Sequence, residues 1–455
     1  MNDRSVPDAL LSPPDIACCR LDPVRLEALF ADIHPALSPD QAAIAAARCY
    51  FCHDAPCIAA CPTGIDIPGF IRGIATGNLT GAGQRILKSN ILGGSCARVC
   101  PTEILCEGAC VRTAQEQQPV AIGALQRVAT DHAMRAPQSF KRAPATGRHV
   151  AIVGAGPAGL ACAHALALRG HAVTLFEARD KPGGLNEYGI AAYKLTDDFA
   201  AREIAFVLGI GGITLKTGQR LGRDIHLPTL RQTHDAVFIA LGQAGVKALA
   251  LPGEDLPQVI DAVDFIAGLR QSHPAAVPIG RRVVVIGGGN TAIDAATQAK
   301  RLGAELVTIV YRRDRAAMGA TGAEQDWALT NGVALRLWAT PVAFEGEGAL
   351  RAVRFARTAL DPAGTLHALA DHFTIEADMV LKAVGQTLVA GDATGPALYA
   401  NRILIDPLTH ATSLPGVFAG GDCVAGTDLT VRAVQDGKCA AAAIDRFLDQ
   451  GAHHG

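Results

Sequence analysis

Arg148-His149-Val150-Ala151-Ile152-Val153-Gly154-Ala155-Gly156-Pro157-Ala158-Gly159 is an apolar run that breaks on a glycine-rich turn. The run has the continuous apolar texture of a buried parallel strand. Helical spacing then continues from Leu160 to Arg169, and Gly170 ends it. His171-Ala172-Val173-Thr174-Leu175-Phe176 reads as the next strand, closed by Glu177. Strand, helix and parallel strand within roughly thirty residues make a βαβ unit. The turn carries G-x-G-x-x-G spacing. Gly154 permits the turn, Gly156 lets a pyrophosphate approach the backbone, and Gly159 lets helix and strand pack closely. Ala155, Pro157 and Ala158 complete a loop whose helix start favours an anion. Glu177 can bind ribose hydroxyls. These residues predict a dinucleotide site.

A second unit repeats the pattern. Arg282-Val283-Val284-Val285-Ile286 leads into Gly287-Gly288-Gly289-Asn290-Thr291-Ala292, helical spacing runs on to Leu302-Gly303, and Leu306–Tyr311 is the second strand. Ala292 stands at the third glycine position, a substitution the pattern tolerates. An acid after that strand would favour NAD. Arg312 and Arg313 could instead hold the 2′-phosphate of NADP, or lie solvated at the surface. A late Val417-Phe418-Ala419-Gly420-Gly421-Asp422 returns to the first nucleotide, so the second unit interrupts the first.

Upstream lies a different texture. Cys49, Cys52, Cys57 and Cys61-Pro62 form C-x2-C-x4-C-x3-C-P, and Cys96, Cys100-Pro101, Cys106 and Cys110 follow. Eight of the thirteen cysteines fall in this stretch, the number two all-thiolate [4Fe–4S] clusters need. Zinc is the competing reading of C-x2-C, but it leaves the two Cys-Pro junctions unexplained. Adjacent Cys18 and Cys19 are poor joint ligands and read as structural. Gln41–Arg48, Ile67–Thr76, Leu79–Lys88 and Ile122–Met134 have helical apolar spacing. Pro137, Lys141-Arg142, Pro144 and Gly147 suggest a linker.

The fold class expected is therefore an α-helical N-terminal double [4Fe–4S] domain followed by α/β. The α/β part has two Rossmann-like domains, with the NAD(P) domain inserted in the FAD domain. The expected boundaries are 1–140 for the iron–sulfur domain, 141–245 and 387–455 for the FAD domain, and 246–386 for the NAD(P) domain. A net charge of −2 gives no reason to expect nucleic acid or an anionic membrane as partner. The sequence holds no long uncharged apolar stretch for a membrane span. Residues 1–20 carry Asp3, Asp8 and Asp15 and lack a signal-peptide apolar core. A reducing cytoplasm is the expected compartment, where clustered cysteines serve as metal ligands.

The runs RCYFCHDAPCIAACPTGIDIPGFI (48–71), GGSCARVCPTEILCEGAC (93–110) and VAIGALQRVATDHAM (120–134) resemble the N-terminal module of dihydropyrimidine dehydrogenases. The resemblance continues through both nucleotide units. It is nearest to the flavin- and iron–sulfur-containing small subunit of the bacterial NAD-dependent enzyme, with the glutamate synthase small subunit a nearby relative. It implies that Cys49, Cys52, Cys57 and Cys110 hold one cluster, and that Cys61, Cys100, Cys106 and Gln126 hold the other. Cys96 is then a spare thiol, although bare chemistry prefers eight thiolates. The resemblance further implies FAD contacts at Gly184 and Leu185 of Pro182-Gly183-Gly184-Leu185, at Gly421 and Asp422, and at Thr430 and Val431. Lys194 stands where the family usually has arginine, and Ala191-Ala192 replaces its usual entry, which leaves a flavin contact there open. Ala383, Val384 and Gly385 resemble a loop near the nicotinamide. NADPH-using relatives carry an arginine where this chain has Gly319, which favours NAD; NADP stays possible. The implied function is electron input, from NADH through FAD and two clusters, to an FMN- and iron–sulfur-containing subunit that interconverts uracil or thymine and their 5,6-dihydro forms; the alternatives are a glutamate synthase small subunit and a stand-alone NAD(P)H:ferredoxin-type oxidoreductase. This chain has no barrel-length segment for the pyrimidine itself.

Overall fold

The computed structural model describes residues 21–389, 395–426 and 428–452. Cys18 and Cys19 and the signal-peptide reading of residues 1–20 lie outside these. The chain divides into two compact units, each assembled from separate segments.

The larger unit comprises Ile33–Glu187, Asp197–Gly245 and the described residues from 387 onward. Its centre is a five-stranded parallel sheet. The strand order is Val417–Ala419, Ala236–Ile239, His149–Val153, Ala172–Phe176 and Ile213–Lys216. Apolar clusters bury both faces, one containing Val150, Ile152 and Leu175, the other Ala151, Val153 and Ile239. A continuous apolar strand is what burial on two sides demands. The helix Thr430–Ala452 crosses the helix Pro157–Leu168 through small residues. A Cβ at Gly437 would lie 2.2 Å from the Ala158 carbonyl oxygen.

The cysteine-rich part of this unit is helical. Ser38 begins the helix Pro39–Ala47 with a capping box, its Oγ accepting from Gln41 N while Gln41 Oε1 accepts from Ser38 N. Asp66 caps Ile67–Ala75, and Asn78 caps Leu79–Ser89. Ile67, Phe70, Ile71, Ile86 and Leu125 form its core. Residues 137–147 are firmly bonded instead of forming a loose linker. Arg142 donates to the carbonyls of Ala167, Gly170 and His171, and Gln138 Nε2 donates to Val207 O.

The smaller unit comprises the described residues up to Asp32, Tyr188–Thr196 and Val246–Gln386. It has a second parallel sheet, in the order Val259–Asp261, Met379–Lys382, Arg282–Ile286, Leu306–Tyr311 and Ala334–Leu337. An antiparallel sheet of Ala339–Gly346, Leu350–Leu360 and Leu366–Glu376 accompanies it. Two segments depart from the expected boundaries. Leu26 of the helix Pro23–Leu29 packs in this unit's core, and Arg301 Nη1 donates to Leu29 O at 2.6 Å. Residues 21–32 therefore leave the expected 1–140 domain because their apolar face is buried here. Tyr188–Thr196 leaves the expected 141–245 segment because it bonds to Asp294, Gln298 and Glu324.

Candidate redox site

In the first nucleotide loop the helix Pro157–Leu168 begins directly on Gly156. A Cβ at Gly159 would sit 1.9 Å from the Gly154 carbonyl, so helix and strand meet as closely as backbone allows. In front of Gly156 the space is open, its nearest boundary being Gly184 Cα, and Gly183 N donates to Ala155 O at 2.8 Å. This is a cradle lined by backbone amides. Glu177 is buried, with Oε2 accepting from Ala155 N at 2.9 Å and Oε1 from Arg179 N.

The other expected flavin residues gather in the same unit. The Gly421 amide donates to Asp436 Oδ2 at 3.1 Å. Asp422 has its carbonyl held by Gln243 and Arg402. Burial pushes its carboxyl up to about 6, with Asp428 adding to the shift and Arg402 opposing it. Among the described residues no group donates a hydrogen bond to that carboxylate. A ribityl or ribose hydroxyl would meet the need. Thr430 Oγ1 bonds Asn186 Oδ1 at 3.0 Å, which ties the start of the helix Thr430–Ala452 to the residue after Leu185. Val431 is buried, and Leu185 is partly exposed. These residues fit FAD.

Lys194, where the sequence leaves a flavin contact open, is held by two carboxylates. It lies in the smaller unit, with Nζ 2.7 Å from both Asp294 and Glu324. Burial alone would lower its pKa, but the two carboxylates hold it well above the usual lysine range. Ala191 and Ala192 amides donate to Asp294 and Gln298. These bonds carry Tyr188–Thr196 into the nicotinamide unit, and the motif alone gave no sign of its acidic partners.

In that unit Gly289 precedes the helix Asn290–Arg301, with Thr291 in its first turn. Ala383 N donates to Ile286 O, setting Ala383, Val384 and Gly385 beside the loop Gly287–Gly289. Arg312 is exposed, whereas Arg313 is half-buried with its Nε lacking a partner. The register shows a residue the sequence reading missed. Gly154 N bonds Phe176 O, and Gly287 N bonds Val310 O. Tyr311 therefore stands where Glu177 stands in the first unit, and its hydroxyl donates to Ala317 O at 2.7 Å. Counting from strand pairing, not from charge, would have found it. The open loop and the unpaired Arg313 Nε fit a nicotinamide dinucleotide.

The cysteines form two groups. Cys49, Cys52, Cys57 and Cys110 line a shallow concavity together with Tyr50, Ile67 and Arg112. Burial pushes the Cys57 thiol up to about 11, with Cys110, Cys49 and Cys52 adding to it. In the second group Cys100 is raised first by a hydrogen bond with Cys96, then by burial, and Cys106 and Cys61 are close enough to contribute. Gln126 is buried on the helix Ile122–Ala133, and its Nε2 donates to Gly93 O at 2.7 Å, which leaves its Oε1 to serve as acceptor or ligand. Cys96 is also buried, its sulfur accepting from Asn90 Nδ2 at 3.2 Å. All described cysteines are free thiols. Among the described residues no His, Cys, Asp or Glu group converges as a single-ion site. The thiols of the first group surround a concavity, as ligands of a multi-iron cluster would.

Comparison with known proteins agrees with this chemistry. The family described as pyridine nucleotide-disulphide oxidoreductase matches residues 148–437. The chain belongs to that family. The family described as dihydropyrimidine dehydrogenase domain II, 4Fe-4S cluster, matches residues 25–138. The chain is 35% identical over 422 residues to the NAD-dependent dihydropyrimidine dehydrogenase subunit PreT of Salmonella typhimurium, covering 92% of this chain and 97% of that one. It is 32% identical over 441 residues to the glutamate synthase [NADPH] small chain of Azospirillum brasilense, covering 92% and 91%. FprA from Mycobacterium tuberculosis shares the fold, with a TM-score of 0.58 and 19% identity over 69% of this chain and 86% of that one. This pyridine nucleotide-disulphide oxidoreductase is an FAD-dependent NAD(P)H oxidoreductase with a 4Fe–4S domain. Among its described residues no helix is long and apolar enough to cross a membrane.

Proposed function

We propose that this chain is the electron-input subunit of a dihydropyrimidine dehydrogenase. It works between NAD(H) and a partner subunit that holds FMN and further iron–sulfur clusters and acts on the 5,6-bond of uracil or thymine. FAD, when bound, exchanges hydride with a nicotinamide and single electrons with iron–sulfur clusters. The chain's own residues bind and orient. Glu177 and Asp422 accept from hydroxyls of the flavin nucleotide. The amides at the start of the helix Thr430–Ala452 would favour negative charge on a flavin bound beside them. Gly287–Gly289 and the start of the helix Asn290–Arg301 take the nicotinamide pyrophosphate. Arg312 and Arg313 would meet the adenosine end of a bound dinucleotide. Cys49, Cys52, Cys57 and Cys110 hold one cluster, and Cys61, Cys100, Cys106 and Gln126 the other. The free thiols suit a reducing cytoplasm.

The observation that carries this reading is one compact unit that contains both cysteine groups and the flavin loop. The test is anaerobic purification of the tagged chain from its native host, with mass spectrometry of what accompanies it. Recovery of an FMN-binding pyrimidine dehydrogenase-like chain, with NADH-dependent uracil reduction, supports the reading. The likeness to a glutamate synthase small chain favours a second reading, and a glutamate synthase large chain in the same experiment would establish it. For the ligands, Gln126→Ala should alter one cluster's spectrum while Cys96→Ser leaves both. Loss of a cluster in the Cys96 variant alone overturns that set.

A further inference from the structure

Lys438 lies on the helix Thr430–Ala452, one residue after the Gly437 that touches Ala158 of the flavin loop. Its side chain runs to the other redox site. Nζ donates to Thr63 O at 3.3 Å and to Ser89 O. Thr63 is two residues past Cys61, and its Oγ1 is 3.3 Å from the Cys61 sulfur. Ser89 precedes Asn90, whose amide holds Cys96. The ammonium is thus fixed by backbone carbonyls at the junction of both loops of the second cysteine group.

Among the described residues Lys438 forms no ion pair with a carboxylate. Burial pulls its pKa below the usual lysine range, and the nearby sulfurs of Cys439 and Cys61 act against that pull. A partly buried cation without an anion is unfavourable. Thiolate-ligated clusters are anionic and gain one further negative charge on reduction, so a fixed cation beside one favours its reduced form. We propose that Lys438 is the counter-charge of the cluster held by Cys61, and that it raises that cluster's readiness to accept an electron. Lys438 is a positioning and tuning residue here, and its role rests on the cluster assignment proposed above. Its helix also carries Thr430 and Val431, the expected flavin contacts, so one helix touches both the flavin site and the loops of this cysteine group.

The experiment is an EPR-monitored redox titration of the anaerobically purified full chain, with Lys438→Met and Lys438→Arg variants. In the Met variant one cluster signal should need a lower potential. At a fixed poise its reduced-to-oxidised ratio should fall about tenfold, the effect of one charge at moderate effective dielectric. That ratio corresponds to 59 mV for one electron. The Arg variant should titrate as wild type. Unshifted signals in the Met variant, with iron content intact, overturn the proposal. If the Met variant loses a cluster, retention of that cluster by the Arg variant supports the need for charge, and loss in both variants overturns it. Wild-type protein without iron or acid-labile sulfide would sink the cluster reading itself, a result separate from any of these.

Discussion

The two dinucleotide loops share a plan and differ in how tightly they are built. In the first, Gly159 closes against Gly154 with no room for a side chain. Glu177 is locked by two amides, and the late motif around Asp422 covers the site from another chain segment. In the second, Ala292 takes the third glycine position, Tyr311 replaces the acid, and the nearby arginines are bonded less completely. The tighter first loop suits a retained flavin and the looser second an exchangeable nicotinamide, the pair that the proposed electron-input role requires.

Gly159→Ala breaks this comparison most severely. The added Cβ has nowhere to go, and the clash should cost about 3 kcal/mol or more. The purified variant should be colourless in the flavin region, whereas Ala292→Gly should keep its flavin and bind nicotinamide within a few-fold of wild type. Equal losses in both variants would mean that the loops are not differently packed. Asp422→Ala comes next. Loss of one charge-assisted hydrogen bond, about 1.5–3 kcal/mol, should weaken FAD retention roughly ten- to a hundredfold, as read by flavin release on dilution.

Arg313→Ala sharpens the second loop. If its unpaired Nε serves a 2′-phosphate, the KM for NADPH should rise about tenfold while that for NADH changes little. Equal change for both would assign the arginine to their shared adenosine. The smallest effect is that of pH. Asp422 has its folded pKa raised from 3.8 to about 6. The folded chain therefore holds that proton more tightly, and the group's contribution to apo stability is full below about 3.8 and lost as pH rises through about 6. Flavin binding runs the other way, because a hydroxyl donates best to the ionised carboxylate. Retention should weaken severalfold as pH falls below about 6, and Asp422→Asn should flatten that dependence in a fluorescence titration.

The sequence reveals what depends on neighbouring residues. Leu306–Tyr311 has the bounds expected of it, and Ile67–Ala75, Leu79–Ser89 and Ile122–Ala133 differ from expectation only at their last residues. Apolar period and capping side chains are local, so they are visible. The long strands Leu350–Leu360 and Leu366–Glu376 are not anticipated, because their sheet is specified by pairing with each other. Residues 21–32 and 188–196 change unit through Leu26, Asp294 and Glu324, partners that no local pattern announces. The site divides in the same way. Glycines and cysteines at fixed spacings stand out, whereas Tyr311 in the place of the acid requires strand register.

Gly437 also matters for how this protein can change over generations. It separates Asp436, which holds the Gly421 amide, from Lys438, which grips Thr63 and Ser89. Any side chain there would collide with Ala158 and pry two helices apart. Most substitutions in a multi-cofactor protein injure one centre and leave the others for selection to work with. A change at position 437 would disturb the flavin loop and the second cysteine group together.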